Sequence, residues 1–197
     1  MNVPACSLNI YYICSPQSFM EQIIKLHDKE FKPFIGSEKI QEVISALANQ
    51  INQDYKDKQP VFIGVLNGSF LFVADLVREF EGNCDVSFMK MASYEGTNTT
   101  GVVNELIGLN QDIEGRDVII LEDIVDTGNT LEKLFQELEK KNPKSLEIAT
   151  LLFKPNAYQK DIPVKYAAME VGNEFLVGYG LDYDGLGRNL KDIYIIC

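Results

Sequence analysis

From Val118 to Thr130 the chain reads Val118-Ile119-Ile120-Leu121-Glu122-Asp123-Ile124-Val125-Asp126-Thr127-Gly128-Asn129-Thr130, three carboxylates, two hydroxyls and a glycine directly after an apolar run. The types and their spacing suit a phosphorylated sugar. Glu122 and Asp123 are acceptors for a pair of vicinal hydroxyls, and Thr127 and Thr130 offer hydroxyl donors. Gly128 lets the backbone approach a ligand closely. A helix beginning just after it would present its first free N–H groups to an anion. Hydrogen bonds to charged groups contribute about 1.5–3 kcal/mol each. A ribose 5-phosphate meets all of these groups at once.

A bare Asp-Thr-Gly is more often a loop with a helix cap than a site. Here two further carboxylates precede it at the end of a buried strand, and like charges at close range oppose folding. A stability role does not account for three of them; a ligand does. The same triplet occurs in aspartic proteases, but those are all-β and need two copies, whereas this one feeds a helix. Asp182-Tyr183-Asp184-Gly185 imitates the nucleophile motif of haloacid-dehalogenase-like phosphatases, yet that motif opens its fold and here only a short tail follows. Gly178-Tyr179-Gly180 lacks the third glycine of a dinucleotide fingerprint.

The elements around this segment follow from periodicity. Ile40, Val43, Ile44, Leu47 and Ile51 recur at helical spacing, with Ser37 as the expected N-cap. Val61 to Leu66 is a buried strand broken by Asn67-Gly68-Ser69, and Val73, Leu76, Val77 and Phe80 form a second helical stripe. Cys84 to Ala92 and Val102 to Leu109 are strands either side of a polar stretch, Ser93 to Gly101, with Tyr94 its one core-forming residue. Such a loop in a compact domain is functional or mobile. Val118 to Leu121 is the central strand, and Leu131, Leu134, Phe135 and Leu138 make the helix that follows the turn. Leu146 to Phe153 is another strand, with shorter ones at Ala167 to Val171 and Phe175 to Tyr179. Strands alternating with helices predict an α/β fold, a mostly parallel sheet covered on both faces. In such sheets ligands sit outside the carboxyl ends of the strands, where the acidic segment lies. One domain over 1–197 is expected, with 1–28 an N-terminal extension that shows no period.

Composition narrows the classes. The 197 residues carry a formal net charge of −11, which disfavours nucleic acid and anionic membranes as partners. It does not exclude a phosphorylated ligand, because diffuse surface charge is screened beyond ~8 Å while a backbone cradle acts at contact. No apolar run approaches the ~18 residues of a membrane span. Met1 to Met20 holds no Lys or Arg, so a signal peptide is not expected. Cys6, Cys14, Cys84 and Cys197 form no C-x-x-C pair, and His27 is the one histidine, so zinc is not expected. Free thiols in a reducing cytoplasm fit this pattern.

The segment Glu122 to Thr130 resembles the motif by which type I phosphoribosyltransferases bind phosphoribosyl pyrophosphate (PRPP). Val65-Leu66-Asn67-Gly68, Ser93-Tyr94, Leu152-Phe153-Lys154, and Phe175 to Tyr179 through Leu181-Asp182-Tyr183 to Arg188 resemble the hypoxanthine-guanine branch, in the same order, over about residues 30 to 197. The resemblance implies a small hood lobe built from the chain ends and a Mg²⁺-dependent transfer of phosphoribosyl from PRPP to a 6-oxopurine. It implies Asp126 as general acid/base, with Thr127, Gly128, Asn129 and Thr130 on the 5-phosphate. Glu122 and Asp123 would hold the ribose hydroxyls, and Lys154 would donate to the 6-oxo group. Phe175 would stack on the base and the Leu176 main chain would meet its edge. Asp182, in the base region, would hold Mg²⁺, as Glu122 and Asp123 could, and Arg188 would contact pyrophosphate. A cis Leu66–Asn67 peptide with Gly68 would present N–H groups to pyrophosphate, and Ser93 and Tyr94 would begin a closing lid. Similar proteins are homodimers or homotetramers.

Asn67 and Asn129 stand where some relatives carry lysine, which bears on phosphate affinity. Two other readings remain open. A PRPP-sensing, nucleic-acid-binding regulator on the same fold would need a basic face, and none is visible. A xanthine-preferring enzyme would differ at a base position read mainly by backbone carbonyls, which sequence does not rank.

Overall fold

The computed structural model describes residues 22–91, 105–109 and 111–197. In chain order its elements are β1 (Ile24–Leu26), β2 (Lys29–Ile35), α1 (Ser37–Asp54), β3 (Val61–Val65), α2 (Phe70–Glu79), β4 (Asp85–Met91), β5 (Glu105–Ile107), β6 (Asp117–Val125), α3 (Asn129–Glu139), β7 (Ser145–Phe153), β8 (Tyr166–Glu170), β9 (Leu176–Val177) and β10 (Ile193–Ile196). The strands form a six-stranded sheet, β5-β4-β3-β6-β7-β8, and a four-stranded one, β1-β2-β10-β9. In the large sheet β4, β3, β6, β7 and β8 are parallel and β5 is antiparallel to β4. The small sheet joins the two ends of the chain, as expected for a hood.

Alternation within the strands sends side chains to two cores. Phe62, Ile119, Leu121 and Leu151 meet α1 and α2 on one face through Ile44, Leu47, Phe72 and Leu76. Val61, Ile63, Val118, Ile120 and Ile148 meet α3 on the other through Leu131, Leu134 and Leu138. Burying each leucine of α3 contributes about 1.5–3 kcal/mol, so packing rather than capping fixes this helix. Truncating Leu134, which is wholly buried, to Ala would cost about 2–5 kcal/mol.

The crevice arises at a change of direction. From β3 the chain crosses through α2 to β4 on one side, and from β6 it crosses through α3 to β7 on the other. The β3–β6 ladder ends at Gly64 opposite Leu121, while β6 keeps pairing with β7 as far as Val125 opposite Phe153. Residues 122–125 therefore have a strand neighbour on one side and a gap on the other.

Several sequence expectations need correction. Gly36, not Ser37, is the N-cap of α1; the Ser37 N–H is instead capped from across the fold by the Asp192 carboxylate at 2.7 Å. Within the hood, β9 covers only Leu176–Val177 rather than Phe175 to Tyr179, because φ turns positive at Gly178, Tyr179 and Gly180 and ends the ladder. The central strand runs past Leu121, so Glu122 and Asp123 lie within β6 and not beyond it. β2 and β10 were not anticipated, and β1 lies within the stretch 1–28 that shows no period. The proposed lid, with Ser93 and Tyr94, lies outside the described residues.

Candidate active site

A cavity of about 530 Å³ opens at the carboxyl ends of β3 and β6. It collects residues from four separated stretches of the chain. Leu66 and Gly68 come from the turn after β3, Glu122 to Val125 from β6, and Asp126 to Leu131 from the turn into α3. Lys154 comes from the end of β7, and Phe175, Leu176, Asp182 and Arg188 from the hood side. Among the predicted site residues that are described, only Asn67 does not line it. Asn67 accepts from Lys90 through Oδ1 at 3.3 Å, and its peptide with Leu66 is cis. A larger groove of about 750 Å³ lies at the opposite rim, among Asn52, Lys56 and Glu81. None of the predicted site residues faces it.

Two close approaches shape the cavity floor. A Cβ on Gly68 would overlap the Asp123 carboxylate, so only glycine lets the turn after β3 lie against β6. The Gly180 α-carbon is packed equally tightly on the Gly68 carbonyl, which locks the hood loop onto the same turn. Tyr179 fastens that loop further: its hydroxyl donates to Asp75 of α2 at 2.5 Å, and Gln41 of α1 donates to the same oxygen. Sequence reasoning missed Asp75 and Asp192, and gave Tyr179 no role beyond its place in the motif. An isolated Asp on a helix or loop carries no signal of a partner more than a hundred residues away.

At the turn into α3, Gly128 adopts φ +81°, left-handed backbone that glycine tolerates best. No described side chain caps the helix N-terminus. Its first N–H groups are thus left for an external acceptor, and the helix dipole favours that acceptor being an anion.

The four cavity carboxylates are balanced differently. Lys154, nearly buried at 7% exposure, donates to Asp126 Oδ2 at 2.8 Å. A lysine so enclosed is rare unless paired. Arg188 bonds Asp182 Oδ1 through Nη2 at 2.7 Å and the Gly180 carbonyl through Nη1 at 2.6 Å, while the Gly185 N–H donates to Asp182 Oδ2. Glu122 and Asp123 form no ion pair among the described residues. Burial, followed by the neighbouring Asp123 charge, drives the Glu122 carboxyl well above the usual range. Burial pushes Asp123 up to about 6, against the Ile124 N–H and the Arg188 charge, which pull it down.

Phe175 sits at the rim with 43% of its surface exposed. It is supported by Phe31 at 6.3 Å and by the edge-on ring of Tyr183 at 5.8 Å. The Lys29 ammonium stands over the ring at 5.6 Å from its centroid, and a partly exposed aromatic lining a cavity can stack on a planar ligand.

The chain matches the phosphoribosyl transferase domain family over residues 36–184. It is 44% identical over 160 residues to a hypoxanthine-guanine phosphoribosyltransferase of Staphylococcus epidermidis, covering 81% of this chain and 89% of that one. Among solved structures it resembles a Bacillus anthracis hypoxanthine-guanine phosphoribosyltransferase with a HEPES molecule in its active site, with TM-score 0.78 and 37% identity over 84% of this chain and 96% of that one. It also resembles the Trypanosoma cruzi hypoxanthine phosphoribosyltransferase in complex with the product IMP, with TM-score 0.79 and 34% identity over 88% and 97%.

Proposed function

The chain belongs to the phosphoribosyltransferase family, in its hypoxanthine-guanine branch, and from that premise we propose how its cavity divides the work of purine salvage. The reaction moves phosphoribosyl from PRPP to a 6-oxopurine, giving IMP or GMP and pyrophosphate. The observation that carries the assignment of residues is the Asp126–Lys154 pair, 2.8 Å apart in the same cavity as Phe175. A 6-oxopurine presents N7 and O6 side by side on one edge. Asp126 takes or returns the proton at N7 as general acid/base, and Lys154 donates to O6. An ammonium donates but does not accept, so the 6-amino group of adenine finds no partner there. Phe175 stacks on the base and the Leu176 main chain meets its far edge.

Glu122 and Asp123 receive the ribose hydroxyls, and Thr127 to Thr130 receive the 5-phosphate at the open end of α3. Leu66, Asn67 and Gly68 turn backbone N–H groups toward pyrophosphate, with Arg188 contributing charge as it leaves. Asn67 acts through its main chain, consistent with a side chain held by Lys90.

Mg²⁺ fits this donor set. No cluster of three metal-ligating side chains exists among the described residues. Mg²⁺ ordinarily binds one or two carboxylates plus substrate phosphates. Asp182 would hold it, and Glu122 and Asp123 offer buried carboxylates that form no ion pair among the described residues. When bound, the ion neutralises charge on the pyrophosphate.

We assign Ser93 and Tyr94, which lie outside the described residues, to the start of a closing lid. The whole of 1–197 acts as one domain, supported by a single buried cluster in which hood residues Ile35, Leu176 and Ile193 pack with the sheet. We place the protein in the cytoplasm, in keeping with its free Cys84 and Cys197, and as a homodimer or homotetramer. No described helix is long and apolar enough to cross a membrane. A pyrophosphate-release assay with hypoxanthine, guanine, xanthine and adenine tests the base assignment. Turnover of adenine equal to that of hypoxanthine would overturn the role of Lys154, and xanthine turned over fastest would favour the xanthine-preferring reading.

A further inference from the structure

The connection between β7 and β8 brings a second lysine to the phosphate end of the cavity. This connection is tightly built: the Ala157 and Tyr158 N–H groups donate to the Lys154 carbonyl, the Tyr158 ring packs edge-on against Phe153, and its hydroxyl donates to the Ile162 carbonyl at 2.6 Å. Lys160 lies within that loop. Its stem and the Tyr158 ring cover Gly128, so that a Cβ there would stand 2.8 Å from Lys160 Cγ and 2.5 Å from the ring. Its ammonium bonds Glu132 Oε2 at 2.8 Å, with the two side chains only 18% and 36% exposed. Glu132 belongs to the first turn of α3, and its N–H donates to the Gly128 carbonyl one turn back.

We propose that Lys160 is a positioning residue for the 5-phosphate, acting through Glu132 and the Gly128 turn; this rests on the assignment of residues 127–130 to that phosphate. Glu132 alone would work against the substrate. A carboxylate in the first helical turn occupies the positive end of the dipole and repels a second anion brought to the same N–H groups. Lys160 cancels that charge, and the pair is enclosed enough to be screened less than a surface pair. Lys154 and Arg188 are already engaged with Asp126 and Asp182, so neither performs this task. The packed stem also fixes the turn in the conformation that presents its N–H groups.

The test compares steady-state constants of the full-length enzyme with those of Lys160→Met, Lys160→Arg, Glu132→Gln, the Lys160→Met/Glu132→Gln double variant and Thr130→Ala. Lys160→Met keeps the stem and removes the charge. It should raise KM for PRPP about tenfold, leave KM for hypoxanthine unchanged and keep kcat within about twofold. Lys160→Arg should behave as the parent. The double variant should return KM for PRPP to within about threefold of the parent, because the carboxylate that needed cancelling is gone. An unchanged KM for PRPP in Lys160→Met, equal rises for PRPP and hypoxanthine, or a double variant as impaired as Lys160→Met would each overturn the proposal. If Lys160→Met does not fold, Glu132→Gln decides, since it must bind PRPP at least as well as the parent. Thr130→Ala separates the two levels: an unchanged KM for PRPP there removes the phosphate from this turn. A raised KM beside a normal Lys160→Met removes only Lys160.

Discussion

The two halves of the cavity settle their charge in opposite ways. Toward the proposed base and pyrophosphate end, Asp126 and Asp182 each hold a cation, Lys154 and Arg188, within 2.8 Å. Toward the ribose, Glu122 and Asp123 are more enclosed, hold no cation among the described residues, and are displaced upward in pKa by burial. The paired half is already arranged by its ion pairs, each charge able to exchange its partner for a ligand group. The unpaired half stores an unfavourable interaction that ligand hydroxyls or a cation relieve. Preorganised polarity and unrelieved carboxylates thus stand a few residues apart on one strand and its turn.

The largest effect should come from the paired half. Asp126→Asn keeps an oxygen for Lys154 but no longer exchanges a proton with N7. It should lower kcat by ~10²–10⁴ while leaving PRPP affinity nearly intact. Near-normal turnover would remove Asp126 from the chemistry and with it the contrast between the halves. Lys154→Ala should be next, costing about 1.5–3 kcal/mol for one charge-assisted hydrogen bond. That is roughly one to two decades in kcat/KM for hypoxanthine. Adenine has no such bond to lose, so its poor turnover should change little. Equal proportional losses for both bases would show that Lys154 supports the site without reading the 6-position.

The unpaired half predicts a pH dependence. On the proposed assignment, ribose hydroxyls and a cation bind the ionised carboxylates, so PRPP binding should weaken as Asp123 takes up its proton below about 6. A plot of kcat/KM for PRPP should therefore climb with pH and level off above that value. The slope on the acid side approaches tenfold per pH unit if one group governs. Asp123→Asn should flatten this limb, and a limb that persists unchanged in the variant assigns it to another group.

The sequence made the paired and unpaired groups visible unequally. Periodicity located β3, β6, α3 and β7, because these are long, wholly apolar or cleanly amphipathic, and the acidic cluster stood out as lacking a stability role. The strand Leu146 to Phe153 set Lys154 on the same rim of the sheet as Asp126, but its role came from motif order within a family, and the 2.8 Å ion pair is the physical content behind it. The hood was the least legible part. β2 carries a proline and alternates charge, β9 has two residues and β10 four, and although β1 and β2 form a local hairpin, the pairing of β10 with β2 joins distant parts of the chain and leaves no local signal. Ser37 misled for a related reason: its type suits a cap, but Asp192 caps the helix from 155 positions away.

The smallest effect we predict is also the most direct measure of what the ribose half stores. Burial raises Asp123 from 3.8 to about 6, so the folded protein without ligand prefers the protonated carboxyl more than the unfolded chain does. Its contribution to stability is full below the unfolded value and is lost as pH rises through about 6. At pH 8 the folded state therefore carries an ionised carboxylate with no ion pair among the described residues. Asp123→Asn removes that charge while keeping the size of the side chain, and its amide oxygen can still accept from the Ile124 N–H, as Asp123 does at 2.9 Å. The variant should accordingly melt higher than the parent at pH 8, by roughly 2–4 °C for each kcal/mol recovered in a chain of this size. The advantage should shrink as the pH is lowered toward 5, since the parent then carries its own proton. Saturating PRPP and Mg²⁺ should reverse the order, because the ligand supports only the parent's ionised form. Thermal melts of both proteins at two pH values, with and without ligand, resolve these outcomes. A variant less stable than the parent at pH 8 without ligand would show that Asp123 is a structural acceptor, and the division between the two halves of the cavity would fall.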